Sequence, residues 1–278
     1  MNSINHITEP QHKNISKIAI KSLNLSATLW FLVAVAGQWL FAYYIALFYG
    51  GTAIKGDWES WTKRMIHGII EGDLIGNIAV MLHILLAFII TFGGPLQLIP
   101  QLRKRIPVFH RWNGRIYIAT AVLISLGALY MVWTREALVG GLYGQIAISG
   151  NALLIIVFAV ITIRTAINHN LKAHRRWALR TFMVVSGVWF FRIGFGLWIF
   201  LNNGSAPGST EDLTGVFDKF LYYADYLLPL LFLELYLRAK DITNSYGKFI
   251  MTGVTFILTI LTGIGIFMAA QIFWLSHL

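Results

Sequence analysis

Four polar side chains, His83, Asn151, Arg192 and Asp225, stand inside long apolar runs, each in a different run. Hydrocarbon excludes ionisable groups unless they are paired, hydrated or used, so such residues are candidates for a functional site. Counted from the ends of their runs, all four lie about nine residues deep, roughly 13 Å at ~1.5 Å per residue, with Gln38 slightly deeper. A cation and a carboxylate at one depth predict an Arg192–Asp225 pair facing the bundle interior, with His83 and Asn151 completing a polar chamber. Ligand, ion or proton binding is the chemistry open to such a chamber. The plainer reading is that the four residues only fix helix register.

A second constellation borders the same runs. The stretch from Gln97 to Tyr117 contains His110-Arg111-Trp112, and a later segment contains His174-Arg175-Arg176-Trp177. Each delivers a His–Arg cluster and a Trp to the start of an apolar helix. Arg and Trp at a helix end serve as interfacial anchors on lipid phosphate. The functional reading is that His110 and His174, on parallel helices at matching depth, hold haem, a metal or an anionic headgroup. That requires the two helices to be neighbours. Gly76, His83 and Gln97 fall on one helical face, which adds Gln97 to the candidate ligand-binding set. Gly93, Gly94 and Pro95 predict a kink, and Pro100 and Pro107 predict a non-helical loop. Glu234 is half a turn round its helix from Asp225, so it does not form a carboxylate pair with it and instead balances Arg180 or Arg238.

The elements that must position these residues are seven runs, about 25–49, 74–99, 115–133, 142–163, 177–201, 217–237 and 249–275. Each is near the ~20 residues a helix needs to cross ~30 Å of hydrocarbon. The predicted fold is therefore all-α, a multi-pass membrane helix bundle of about seven transmembrane helices. With the N-terminus inside, sixteen of the 22 Lys and Arg residues fall in the inner segments, which predicts the N-terminus inside and the C-terminus outside. Residues 1–24 read as a cytoplasmic tail and 25–278 as one transmembrane domain. Of the two longer connections, 50–73, with Trp58, Trp61, Met65 and Ile66, predicts an amphipathic surface helix, and 202–216 an exposed loop.

A mean hydropathy of +0.66 excludes a soluble or disordered chain. The net charge of +10 sits in clusters that bracket apolar spans, which points to anionic lipid headgroups and away from nucleic acid. With no cysteine there is no disulfide, thiolate nucleophile or Cys metal site. Phosphate-loop, zinc-hydrolase and serine-hydrolase motifs are absent, so an enzyme of those kinds has no support; if this is an enzyme, it is a membrane oxidoreductase.

The stretch Leu82-His83, Gly94-Pro95-Leu96-Gln97, Pro100, Arg103, Pro107, His110-Arg111-Trp112, Gly114-Arg115 and Tyr117, with His174-Arg175-Arg176-Trp177, Arg180 and Arg192, resembles the bacterial predicted-membrane-protein family called domain of unknown function 2306. The resemblance covers about residues 74–200. It implies a bacterial inner-membrane location and supplies no activity. A looser similarity, on His110-Arg111-Trp112-Asn113-Gly114, is to the transmembrane b-type cytochromes that take electrons from ascorbate or quinol. Those use two His pairs, whereas His83 has no second histidine at its depth. The sequence thus favours a small-ligand-binding or proton-coupled membrane module, with His83, Asn151, Arg192, Asp225 and Gln97 as ligand-binding residues. Its alternatives are a carrier of haem b on His110 and His174 that reacts with a quinone, and a non-catalytic assembly or regulatory subunit.

Overall fold

Backbone N–H and C=O groups in hydrocarbon need internal partners, and among the described residues the chain supplies them with helices and turns and has no strand. The computed structural model describes residues 9–64, 69–134 and 140–277, with side chains for 14–64, 69–134 and 140–276. Met65, Ile66 and Arg135 lie outside the described residues.

The chain begins with α1 (Glu9–Tyr44), which continues as a π-helical segment, Ile45–Gly50, into α2 (Gly51–Lys55). Then come α3 (Glu59–Arg64), α4 (Leu74–Leu98), α5 (Pro100–Arg105), α6 (Pro107–Thr134) and α7 (Gly141–Ile167). The remainder is α8 (Leu171–Val185), α9 (Gly187–Leu201), α10 (Val216–Asp241) and α11 (Ser245–Ala269), the last running into a second π-helical segment, Ala270–Trp274. Six stretches are long and apolar enough to cross a membrane, namely Asn14–Lys55, α4, α6, α7, α10 and Ser245–Trp274. Helices α8 and α9 pass the same test only as a pair bent by 55°, so the described residues hold six candidate spans, or seven if that pair is one span.

That bend is the main departure from an uninterrupted 177–201 helix. Ser186 stands at the break, where its hydroxyl donates to Phe182 O at 2.8 Å and accepts from Gln38 Nε2 of α1 at 2.9 Å. A serine bonded back to the preceding turn, with a foreign side chain inserted beside it, is a recognised cause of helix bending. Gln38 is thereby accounted for: it satisfies the break.

The prolines act otherwise than expected. Pro100 opens α5 and Pro107 opens α6, because a proline at the first helical position loses no intrahelical bond. Helix α4 runs through Pro95 to Leu98. Gly93 and Gly94 let α6 come close: a Cβ on Gly94 would lie 2.8 Å from the Tyr117 ring, and Asn113 Nδ2 donates to Gly93 O at 2.9 Å. Small residues also join α9 to α11, where a Cβ on Gly265 would meet Ile193 O at 2.6 Å and one on Gly196 would meet Ala269 N at 2.9 Å.

Between α8 and α10 an apolar cluster of Phe182, Met183, Leu233 and Leu237 is joined by ion pairs. Arg180 Nε and Nη2 donate to the two Glu234 oxygens at 2.6 and 2.9 Å, the balance expected for Glu234, and Arg176 bonds both oxygens of Asp241. The described residues of the 50–73 connection form two short helices, α2 and α3, separated at residues 56–58 in place of the one amphipathic helix expected, with Trp61 buried and its Nε1 donating to Thr52 Oγ1 at 2.8 Å. The loop before α10 is ordered around the fully buried Asp218, which accepts from Ser209 Oγ and from the backbone N–H groups of Thr210 and Gly215.

Candidate functional site

Side chains from α1, α4, α6 and α7–α11 surround one large, half-open cleft of about 2340 Å³. Most of its wall is Leu, Phe, Ile and other apolar side chains. Its polar lining is concentrated where α4 ends and α6 and α8 begin, with Gln97, Arg103, His110 and His174, while Asp225 of α10 lies on the wall further along.

The geometry at the polar end follows from the helix starts. Asn170 caps α8, accepting from Ala173 N at 3.1 Å, and this directs His174 inward. His174 Nδ1 lies 3.1 Å from Thr162 O on α7. A carbonyl only accepts, so Nδ1 carries the proton and Nε2 is free to face a ligand. His110 Nδ1 is buried without a hydrogen-bond partner, and the two imidazoles are within electrostatic reach of one another. Gln97 Nε2 donates to His110 O at 3.2 Å, which ties the end of α4 to the start of α6. The adjoining Trp residues are covered by arginines, Trp112 by Arg115 at 5.1 Å and Trp177 by Arg180 at 4.6 Å, as interfacial anchors would be.

The four deep polar residues do not form one chamber. Arg192 and Asp225 are not paired. Arg192 projects from α9 toward α1, where its guanidinium sits 5.0 Å over the Phe41 ring and Nη1 donates to Val188 O at 3.1 Å. Asp225 lies on the cleft wall, and its Oδ1 is buried with no partner. Equal depth along two helices leaves the direction round each axis open, and here the directions differ. His83 belongs with Arg192, whose charge it feels, and its Nδ1 is also unpartnered. Asn151 packs instead on Gly187, where a Cβ would stand 2.8 Å from its Nδ2, beside Tyr226 of α10. Sequence reasoning missed Thr162, Phe41, Tyr44 and Tyr49. Of these only the Phe41–Tyr44 spacing, three residues on one helix face, was a visible signal.

Among the described residues no three His, Asp or Glu side chains gather as a metal site. No curated protein and no solved structure matches the chain. Residues 80–213, from within α4 to the loop beyond α9, match the family model described as "Predicted membrane protein (DUF2306)", which supports the resemblance carried by the motifs, and the six to seven candidate spans make this a multi-pass membrane protein.

Proposed function

We propose that this protein binds a lipid-soluble small molecule with a polar head, of quinone-like or lipid-like build, within the bundle. The cleft carries the reading. Its volume exceeds the ~300–1,000 Å³ of ordinary small-molecule pockets, it is walled by apolar side chains, and its hydrogen-bonding groups cluster at one end. A head group would meet His174 Nε2, His110 and Gln97 there, with Arg103 beside them, while the tail lies along the apolar wall. Asp225, without a counter-charge, is the proton-accepting group on the path. The arginines of α5 and α8 at this end support its assignment to the cytoplasmic side, with the N-terminus inside, and the family supports a bacterial inner membrane.

A titration of decyl-ubiquinone into nanodisc-held protein, followed by tryptophan quenching, tests the reading. Saturable binding is expected, weakened about tenfold or more by His174→Ala or by Ala178→Trp, which fills the cleft, and unchanged by Arg192→Gln. Quenching that is non-saturable, or indifferent to Ala178→Trp, would refute it.

One observation favours a second reading. An imidazole whose Nδ1–H is fixed on a backbone carbonyl is oriented as a metal ligand is, and His174 is so fixed, facing a cleft that His110 also lines. The residues fit haem b on that ground: His110 and His174 would hold it, and it would supply one-electron transfer. Oxidised and reduced optical spectra of protein made with ample haem decide the point. A Soret band lost in His110→Ala and His174→Ala supports it, and a featureless spectrum removes it.

A further inference from the structure

Arg192 does not line the cleft, although its neighbours Phe190, Ile193 and Gly194 do. Its guanidinium has five N–H donors, and among the described residues it makes one hydrogen bond, to its own helix, besides the ring contact with Phe41. No carboxylate lies within ion-pair distance of it among the described residues. A cation–π contact returns less than removing a guanidinium from water costs, so this charge is under-compensated.

Among the described residues the surroundings are short of hydrogen bonds too, although the Tyr44 and Tyr49 hydroxyls lie within electrostatic reach of the guanidinium. Trp274, fully buried, packs on the same Phe41 ring at 5.2 Å, and its Nε1 has no partner. Trp189, one turn before Arg192, is buried in the same cluster, and its Nε1 is also unpartnered. His83 Nδ1 is the third such atom, on the helix whose next residue, Ile84, packs against that cluster. Three unpartnered nitrogens and a cation with a single hydrogen bond therefore share one region of α1, α4, α9 and the end of α11. The chain is irregular there too. Both π-helical segments border it, Ile45–Gly50 contributing Ile45 and Trp274 closing the second, and π-helical turns are retained mainly at functional sites. Arg192 is only half-buried, which leaves an open approach. On that approach Tyr49 stacks edge-on against Trp61, and Arg64 lies 6.0 Å over Phe48.

We infer that Arg192, His83 and the indoles of Trp189 and Trp274 form a binding site for an oxyanion, a carboxylate or phosphate group carried on an apolar body. The guanidinium fork takes two of its oxygens, the ring nitrogens donate to the rest, and Phe41, Tyr44 and Tyr49 receive the apolar portion. The anion supplies the acceptors these groups lack. The source is either a free carboxylic acid or an anionic phospholipid reaching in from the bilayer. This site and the cleft are separate, so the failure of one leaves the other standing.

Thermal unfolding in neutral maltoside detergent, followed by tryptophan fluorescence, tests it with three probes: decanoate, phosphatidylglycerol in mixed micelles, and decanol as the uncharged control. A saturable rise in Tm with decanoate alone assigns a free acid, with phosphatidylglycerol alone a lipid, and with both a general oxyanion site. Arg192→Gln should abolish the shift while leaving the unliganded protein as stable as before or more so, because it removes an unpaired charge. Arg192→Lys should weaken binding about tenfold through loss of the fork. Trp274→Phe, which keeps the ring and removes the N–H, should weaken it several-fold and serves if Arg192→Gln does not fold. No shift with either anion, an equal shift with decanol, or an undiminished shift in both Arg192→Gln and Trp274→Phe would overturn the inference.

Discussion

Replacing Gly265 by alanine adds one methyl group at a close helix–helix contact beside the candidate sites, where the nearest facing atoms are backbone. The new Cβ would stand 2.6 Å from Ile193 O and 3.2 Å from Ile193 C and Cβ, all on α9 next to Arg192. Ordinary contact begins at 3.4 Å, and backbone on both sides leaves no flexible side chain to give way, so α9 and α11 must part. Overpacking costs ~1–3 kcal/mol, and the upper part of that range, ~2–3 kcal/mol, applies where backbone meets backbone, against a helix-propensity gain of ~1 kcal/mol for Gly→Ala. The net loss is ~1–2 kcal/mol, which for a chain of this size is a fall in Tm of roughly 2–8 °C. Gly253, on the same helix with nothing within 4 Å of its hypothetical Cβ, is the internal control. Gly253→Ala carries the propensity gain without the clash and should leave Tm unchanged or raise it. Both variants are measured by tryptophan fluorescence or circular dichroism melting in neutral detergent. Equal Tm values for the two variants, or a Gly265→Ala protein as stable as the parent, would refute the close-packing argument and with it the placement of Arg192 by that contact.

Asp218→Ala removes the acceptor for three donors and should cost ~3 kcal/mol, read by unfolding, with new proteolytic cleavage within residues 202–215; Asp218→Asn should lose less. A double-mutant cycle on Arg180→Ala and Glu234→Ala should give a coupling of about 1 kcal/mol, modest because both side chains keep contact with solvent, and a coupling of zero would show that the pair does not hold α8 to α10. The Ser60 hydroxyl and backbone N–H hold the Asp57 carboxyl below the ordinary carboxylate range. Its contribution is therefore present above the unfolded value of about 4 and lost as pH falls through the lower folded value, so amide exchange at Ser60, corrected for its intrinsic rate, should accelerate only below about pH 4. Ser60→Ala, which removes the hydroxyl but keeps the backbone N–H, should move that step up toward about pH 4.

Hydropathy made the helical spans legible, because their lengths and apolar composition are local properties and lipid leaves helices as the economical solution. The bend between α8 and α9 escaped, since at Ser186-Gly187 the chain is met by Gln38 of a distant helix, bonded at the break. Proline rules misled at Pro100 and Pro107 for a related reason: whether a proline opens a helix or interrupts one depends on where the preceding helix ends.

Among the candidate residues, the local signals at His110, His174 and Gln97 led to one cleft, because helix starts and caps fix both depth and direction there. For His83, Asn151, Arg192 and Asp225 the sequence offered only an expected common depth. A hydrophobic run fixes how far along the membrane normal a residue lies, while the direction round the helix axis is set by what its neighbours pack against. Glycine contacts at Gly187, Gly196 and Gly265 set those rotations. They turn Arg192 toward the aromatic rings of α1 and leave Asp225 on the cleft wall, so only the tertiary structure could separate two residues that the sequence placed at one level.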